Sequence, residues 1–132
     1  MSEKLNVCKA LAAMIRNHGE PDEAEVTFVA NAALELGLTP EENEQVTETL
    51  KSGGDFPVFL AEIRSRPMRL FLFRRVVAAT MLDEKVEDDE MDAIERTAEA
   101  FDFDDRVVEE YVDWMKDGIA WEKRGAQLMY RL

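Results

Sequence analysis

Cysteine, histidine and long apolar runs are scarce in this chain of 132 residues, and each scarcity excludes a class of protein. A single cysteine, Cys8, cannot form an internal disulfide, and the lone histidine, His18, leaves no cysteine–histidine spacing typical of zinc sites. The longest apolar stretches, 70–73 and 76–82, are separated by two arginines, and neither approaches the roughly 20 residues of a membrane-spanning helix. We therefore expect no disulfide framework, no zinc centre and no membrane span.

The chain also lacks the alternating pattern of half-buried strands and the glycine-rich loops that bind nucleotides. The lone Cys8 and His18 are far apart in sequence and give no framework for a nucleophilic enzyme. We expect Cys8 to be a small buried thiol and His18 an exposed residue at a helix end. The first residues have no basic run followed by an apolar run, so we expect no signal peptide and a cytoplasmic location.

Apolar residues recur at helical spacing in almost every segment, which predicts one all-α domain, 1–132, of about seven helices. Local start signals support the helices. Asp22 is followed three residues later by Glu25, and Thr39 begins a second pattern of the same kind. The most apolar segment, 67–82, has large apolar side chains around most of its circumference, and this predicts a central, buried helix.

A loop-and-helix pattern occurs twice in the chain, at a fixed offset of 65 residues. The first copy is 18–25 and the second is 83–90, and an apolar run precedes each of them. Identities between the copies are few, so the match depends on residue class and spacing. The pattern predicts an internal two-fold pseudo-repeat, with similar helical units at about 5–50 and 68–115 packed on each other.

Negative charge is concentrated in one part of the chain. The net charge is −13, and residues 83–113 hold 15 acidic against three basic residues, which leaves −12 in that segment. A nucleic-acid backbone needs an extended cationic face, so we expect no direct nucleic-acid binding. The acidic segment is either a solvated surface that favours solubility or a site for a cation or a basic protein partner.

Three residues of the second copy match a family motif. Asp83, Val86 and Glu90 fall on the pattern Asp-Gly-x-Ile/Val-x-x-x-Glu, with Glu84 where glycine is usual. On this motif and the order of its helices, from about 5 to 111, the chain resembles the tellurite-resistance TerB-like family of small all-helical domains. The resemblance implies the fold, a link to stress-response or metal-related systems, and acidic residues that bind cations. It implies no known reaction.

The carboxylates of the two turns have two competing explanations. The structural one is that Asp22 with Glu25, and Glu87 with Glu90, satisfy backbone donors at helix starts. The alternative is a weak site for a divalent cation, calcium or magnesium, since these cations prefer several oxygen ligands. Its ligands would be Asp83, Glu87 and Glu90, with Asp22 and Glu25 from the related turn. A calcium EF-hand loop is excluded because a lysine occupies its third position.

The functional expectation is a non-enzymatic interaction or regulatory module of a stress or metal-related response. The alternative is an ion-handling protein or an enzyme whose site is built from carboxylates. The candidate partner-binding residues are Asp88, Asp89, Asp92 and Trp121. Trp121 belongs to a tail, 119–132, that we expect to form a separate last helix docked on the core, with self-association or a partner groove as the alternative. The sequence does not fix the oligomeric state.

Overall fold

The structure is a computed structural model, and it describes residues 2–82 and 88–132, with 88–90 described by their backbone alone. Every regular element in these ranges is a helix, so the prediction of an all-α domain of about seven helices is confirmed. No helix in the described ranges has both the length and the apolarity needed to span a membrane. The elements are α1 (Glu3–Asn17), α2 (Glu23–Leu36), α3 (Pro40–Ser52), α4 (Phe56–Ala61), α5 (Arg66–Thr80), α6 (Asp88–Ala100) and α7 (Asp105–Arg131).

The most enclosed helix is α1, and not α5 as the apolar segment 67–82 suggested. Ten of its fifteen residues are buried, and it contacts α2, α3, α4 and α5. Small side chains such as Ala10, Ala12 and Ala13 are fully buried, which allows neighbouring helices to approach α1 from several sides. By contrast α5 buries residues such as Leu72 but leaves the Leu70 side chain 44% exposed.

Both helix-start signals form the caps that the sequence predicts. Asp22 accepts a hydrogen bond from the Glu25 N–H at 2.8 Å, and the Glu25 carboxylate accepts one from the Asp22 N–H at 3.1 Å. Thr39 and Glu42 form the same reciprocal box at the start of α3. These residues satisfy backbone donors that have no partner within the first helical turn.

The last helix, α7, is one continuous element of 27 residues. The expected break before 119–132 is absent because α7 continues through Gly118 and Gly125, and a helix-interior glycine costs only about 1 kcal/mol relative to alanine. The expectation that this tail docks on the core is also wrong, since every residue from 120 to 132 is exposed. Only the first half of α7 packs on the body, through buried Val112 and half-buried Tyr111.

One pair of helices in the two predicted repeats starts at the expected offset. α3 begins at residue 40 and α7 at 105, which are 65 residues apart, whereas α1 begins at 3 and α5 at 66, which are 63 residues apart. The described part of α6 begins at 88, directly after residues that the structure does not describe. Similarity of the two halves in three dimensions stays a prediction.

Candidate functional site

A groove of about 870 Å³ lies between α6 and the first half of α7. Its floor is apolar: Ile94 and Ala98 of α6 and Val112 of α7 are all buried. The spacing of four between 94 and 98 places both side chains on the face of α6 that points into the groove. Half-buried Met91, Phe103 and Val108 extend this apolar surface.

The rim of the groove is acidic. Six exposed carboxylate residues and one lysine line it, which leaves a formal charge of −5 along the rim. They are Glu95, Glu99, Asp102, Asp105, Glu109, Asp113 and Lys116. These carboxylates are exposed, so together they attract a cationic group over a distance that salt shortens.

The turn between α6 and α7 fixes the shape of the groove. Asp102 has a left-handed backbone with a φ of 56°, and Asp104 caps α7 by accepting from the backbone N–H groups of Arg106 and Val107. Between these residues, the Phe103 ring packs edge to face on Phe73 of α5 at 5.2 Å. The turn is therefore anchored to the body of the protein as well as to both helices.

The predicted partner-binding residues have different positions. Asp92 is exposed on α6 and forms an ion pair with Arg96 at 2.8 Å, outside the groove lining. Trp121 is 78% exposed on the second half of α7. The backbone of Asp88 and Asp89 belongs to the first turn of α6. Asp92 and Trp121 thus lie on the surface, but at separate places.

Three of the predicted cation ligands cannot be assigned a side-chain position. Asp83 and Glu87 lie outside the described residues, and Glu90 is described by its α6 backbone alone. Asp22 and Glu25 are occupied in the reciprocal cap of α2, so their structural role is shown. In the described part of the chain, no group of three His, Cys, Asp or Glu side chains is arranged to hold a metal ion. A cation role for these residues stays a prediction.

The lone cysteine and the lone histidine are placed as the sequence predicts. Cys8 is fully buried in α1, and burial raises the pKa of its thiol to about 12. His18 is an exposed residue at the C-terminal cap of α1. A thiol with such a raised pKa is a poor nucleophile at neutral pH.

The groove itself was not predicted, although a signal for it is present in the sequence. Glu95 and Glu99 are four residues apart, and Asp105, Glu109 and Asp113 repeat the same spacing on the next helix. Such spacing places each set on one helical face. This spacing, together with the apolar residues between the acidic ones, would have identified one apolar face with acidic edges on each of the two helices. It would not have shown that the two faces lie near each other.

Comparison of the chain with protein-family models, with curated proteins and with solved structures gives no match. The resemblance to the TerB-like family therefore depends on the short motif at 83–90 and on the helix order alone, and it stays a prediction.

Proposed function

We propose that this protein is a non-enzymatic interaction module that binds a basic, amphipathic helix of a partner protein in the α6–α7 groove. The observation that carries the proposal is the combination of an apolar floor with an acidic rim on both helices. Membership of a TerB-like, stress-related or metal-related regulatory system is part of this proposal and is supported by the motif at 83–90.

Helix-in-groove recognition accounts for both parts of the surface. Apolar side chains of a bound helix at positions i, i+3, i+4 and i+7 would cover the half-buried Met91, Phe103 and Val108, which lie beside the buried floor. Lysine and arginine side chains at the edges of that helix would meet carboxylates such as Glu99 and Glu109. The apolar contact supplies most of the affinity, while the rim accelerates association and makes it salt-dependent.

The same surface is less suited to catalysis. The rim carboxylates lie on exposed helical faces on either side of an open groove, whereas an active site brings a few polar groups together in a pocket. Cation binding near Asp83 is a separate proposal with its own test, because those residues lie outside the described part of the chain.

The test is fluorescence anisotropy with a labelled synthetic helix that has leucines on one face and lysines and arginines on the other. A peptide with the same leucines and glutamates in place of the basic residues is the matched ligand control. We expect the basic peptide alone to bind, and its affinity to fall as salt increases.

Two double variants distinguish the effect of the groove's carboxylates on binding from the effect of the protein's net charge. Glu99→Lys with Glu109→Lys should raise the dissociation constant by about tenfold or more. Glu44→Lys with Glu62→Lys makes the same change of charge at exposed sites away from the groove. An equal loss of binding in both double variants would assign the attraction to net charge and would contradict the proposal.

A further inference from the structure

Four large apolar side chains lie on the surface of α7 at intervals of seven residues. Val107, Trp114, Trp121 and Leu128 are 59%, 62%, 78% and 46% exposed. Seven residues are close to two helical turns, so the four share one side of the helix. Large apolar side chains in a continuous exposed row mark a surface that another molecule covers.

A second row at the same interval completes a coiled-coil pattern. It consists of Tyr111, which is half-buried and also contacts Phe73 of the body, and of the exposed Gly118, Gly125 and Leu132; the two rows together have the alternating spacing of three and four residues. We refer to these eight residues as the α7 stripe. The stripe is distinct from the side of α7 that lines the groove, which presents Val108 and Val112.

The two glycines of the α7 stripe have no explanation within the part of the chain that the structure describes. A Cβ atom added at Gly118 or Gly125 would contact nothing within 4 Å, and neither glycine has a positive φ. Glycine inside a helix lowers stability relative to alanine, so the fold alone would favour alanine at both sites. The absence of a side chain at these two positions is an advantage only if another chain packs closely against α7 there.

The charges beside the α7 stripe also repeat at intervals of seven, and their sign changes along the helix. Glu110 and Asp117 are followed by Arg124 and Arg131, all of them exposed. When two identical helices run in opposite directions, the acidic half of each lies against the basic half of the other. The flank is therefore complementary to a second copy of itself.

We propose that α7 pairs in antiparallel orientation with α7 of a second copy of this chain. In the register that aligns the whole stripe, Trp114 lies opposite Gly125 of the second copy, and Trp121 lies opposite Gly118. Each indole then fills the space over a glycine. In the same register Asp117 faces Arg124 of the second copy, and Glu110 faces Arg131.

The antiparallel orientation follows from the sizes of the side chains in the α7 stripe and from the charges beside it. A parallel pair in register would place indole beside indole at Trp121 and would leave a gap where Gly118 meets Gly118. It would also align the two acidic halves with each other. The antiparallel pair avoids these contacts and leaves the α6–α7 groove of each copy outside the interface, so this inference is independent of the proposed function.

Sedimentation equilibrium of the full chain tests the proposal, with two single charge reversals. Asp117→Lys and Arg124→Glu should each raise the dimer dissociation constant at least about tenfold. An equimolar mixture of the two variants should restore dimerisation, because the new lysine meets the new glutamate while Arg124 of one chain still meets Asp117 of the other. Glu44→Lys and Arg66→Glu are the matched controls at exposed sites away from α7, and they should leave association unchanged.

Gly118→Ala provides a second readout with two effects of opposite sign. It should raise the melting temperature of the dilute chain, since alanine favours the helix, and should weaken the dimer because its methyl group meets Trp121 of the second copy. A wild-type chain that stays monomeric up to about 1 mM would overturn the proposal. The proposal would also be overturned if Asp117→Lys and Arg124→Glu each associated like the wild type, or if their equimolar mixture did not restore association.

Discussion

Gly37 and Asp102 lie 65 residues apart in sequence, and both have a left-handed backbone, with φ angles of 70° and 56°. Each ends a helix in the same way. The N–H of the following residue donates to a carbonyl five positions earlier, over 3.1 Å after Gly37 and 2.9 Å after Asp102. The two helix ends thus have matching hydrogen bonds although one has glycine and the other a residue that tolerates this conformation less well.

Exchange of residue types at these two positions should change stability in opposite directions. Gly37→Ala should lower the free energy of unfolding by about 1 kcal/mol, and the cost is that of the backbone alone because a Cβ there contacts nothing within 4 Å. Asp102→Gly should raise it by about 0.5 kcal/mol, a smaller effect since glycine also adds entropy to the unfolded chain. Urea unfolding followed by circular dichroism measures both, and a neutral Gly37→Ala would contradict the assignment.

The enclosed position of α1 predicts a large difference between two leucines. Leu11 is fully buried in α1, whereas Leu70 of α5 is 44% exposed. Leu11→Ala should lower the free energy of unfolding by about 3 kcal/mol because it removes apolar contacts and leaves a cavity. Leu70→Ala is the matched control and should cost less than about 1 kcal/mol. Equal costs would contradict the difference in burial between these two side chains.

Glu3 should make the stability of the protein depend on pH in the acidic range. Its carboxylate, at the start of α1, accepts the backbone N–H groups of Ser65 at 2.5 Å and Arg64 at 2.7 Å, just before α5. These bonds, that of Ser65 above all, hold the pKa of Glu3 below its ordinary value of 4.5. The stabilisation is therefore present above pH 4.5 and is lost as pH falls through the lower pKa of the folded state.

Thermal unfolding of Glu3→Gln across this range measures the effect. The variant should melt below the wild type at neutral pH, and the difference should shrink as the pH falls below 4.5. Glu20→Gln, at an exposed carboxylate in the loop after α1, is the matched control. A difference for Glu3→Gln that is constant from pH 7 to pH 3 would assign the loss to something other than charge.

The acidic sequence from Asp83 to Asp92 gives a prediction about divalent cations. Seven of the ten residues from Asp83 to Asp92 are acidic, and the repulsion among them is relieved if a cation binds. We expect weak binding of calcium, magnesium or manganese in calorimetry, with a rise in melting temperature, and loss of both in Asp83→Asn. No heat above dilution in the wild type would leave Glu87 and Glu90 with a capping role alone.

Local chemistry made the starts of α2 and α3 predictable from sequence. The caps at Asp22 and Thr39 depend on residues within one turn of each other, so their spacing in the sequence determines the hydrogen bonds. Burial of Cys8 followed from its place on an apolar face. The caps form between residues that are neighbours along the chain, so no knowledge of tertiary packing was needed to predict them.

Tertiary arrangement was predictable only in part. The apolarity of 67–82 suggested a central helix, but enclosure also depends on the small residues that let other helices approach, and these favour α1. A separate last helix was expected over 119–132, although α7 continues into this segment without a break. The groove required α6 and the first half of α7 to lie near each other, with α5 in contact with both, and no local pattern specifies that arrangement. Its acidic rim was therefore recognised as a charged segment but not as one surface.

The placement of the two tryptophans has a consequence for spectroscopy. Both tryptophans of the sequence, Trp114 and Trp121, lie on the exposed α7 stripe, and neither is buried in the core around α1. Intrinsic emission excited at the indole band therefore reports the surroundings of one helix rather than the packing of the domain. Loss of the core leaves the emission of a solvated α7 almost unchanged, whereas any molecule that covers this helix shifts the emission to shorter wavelength.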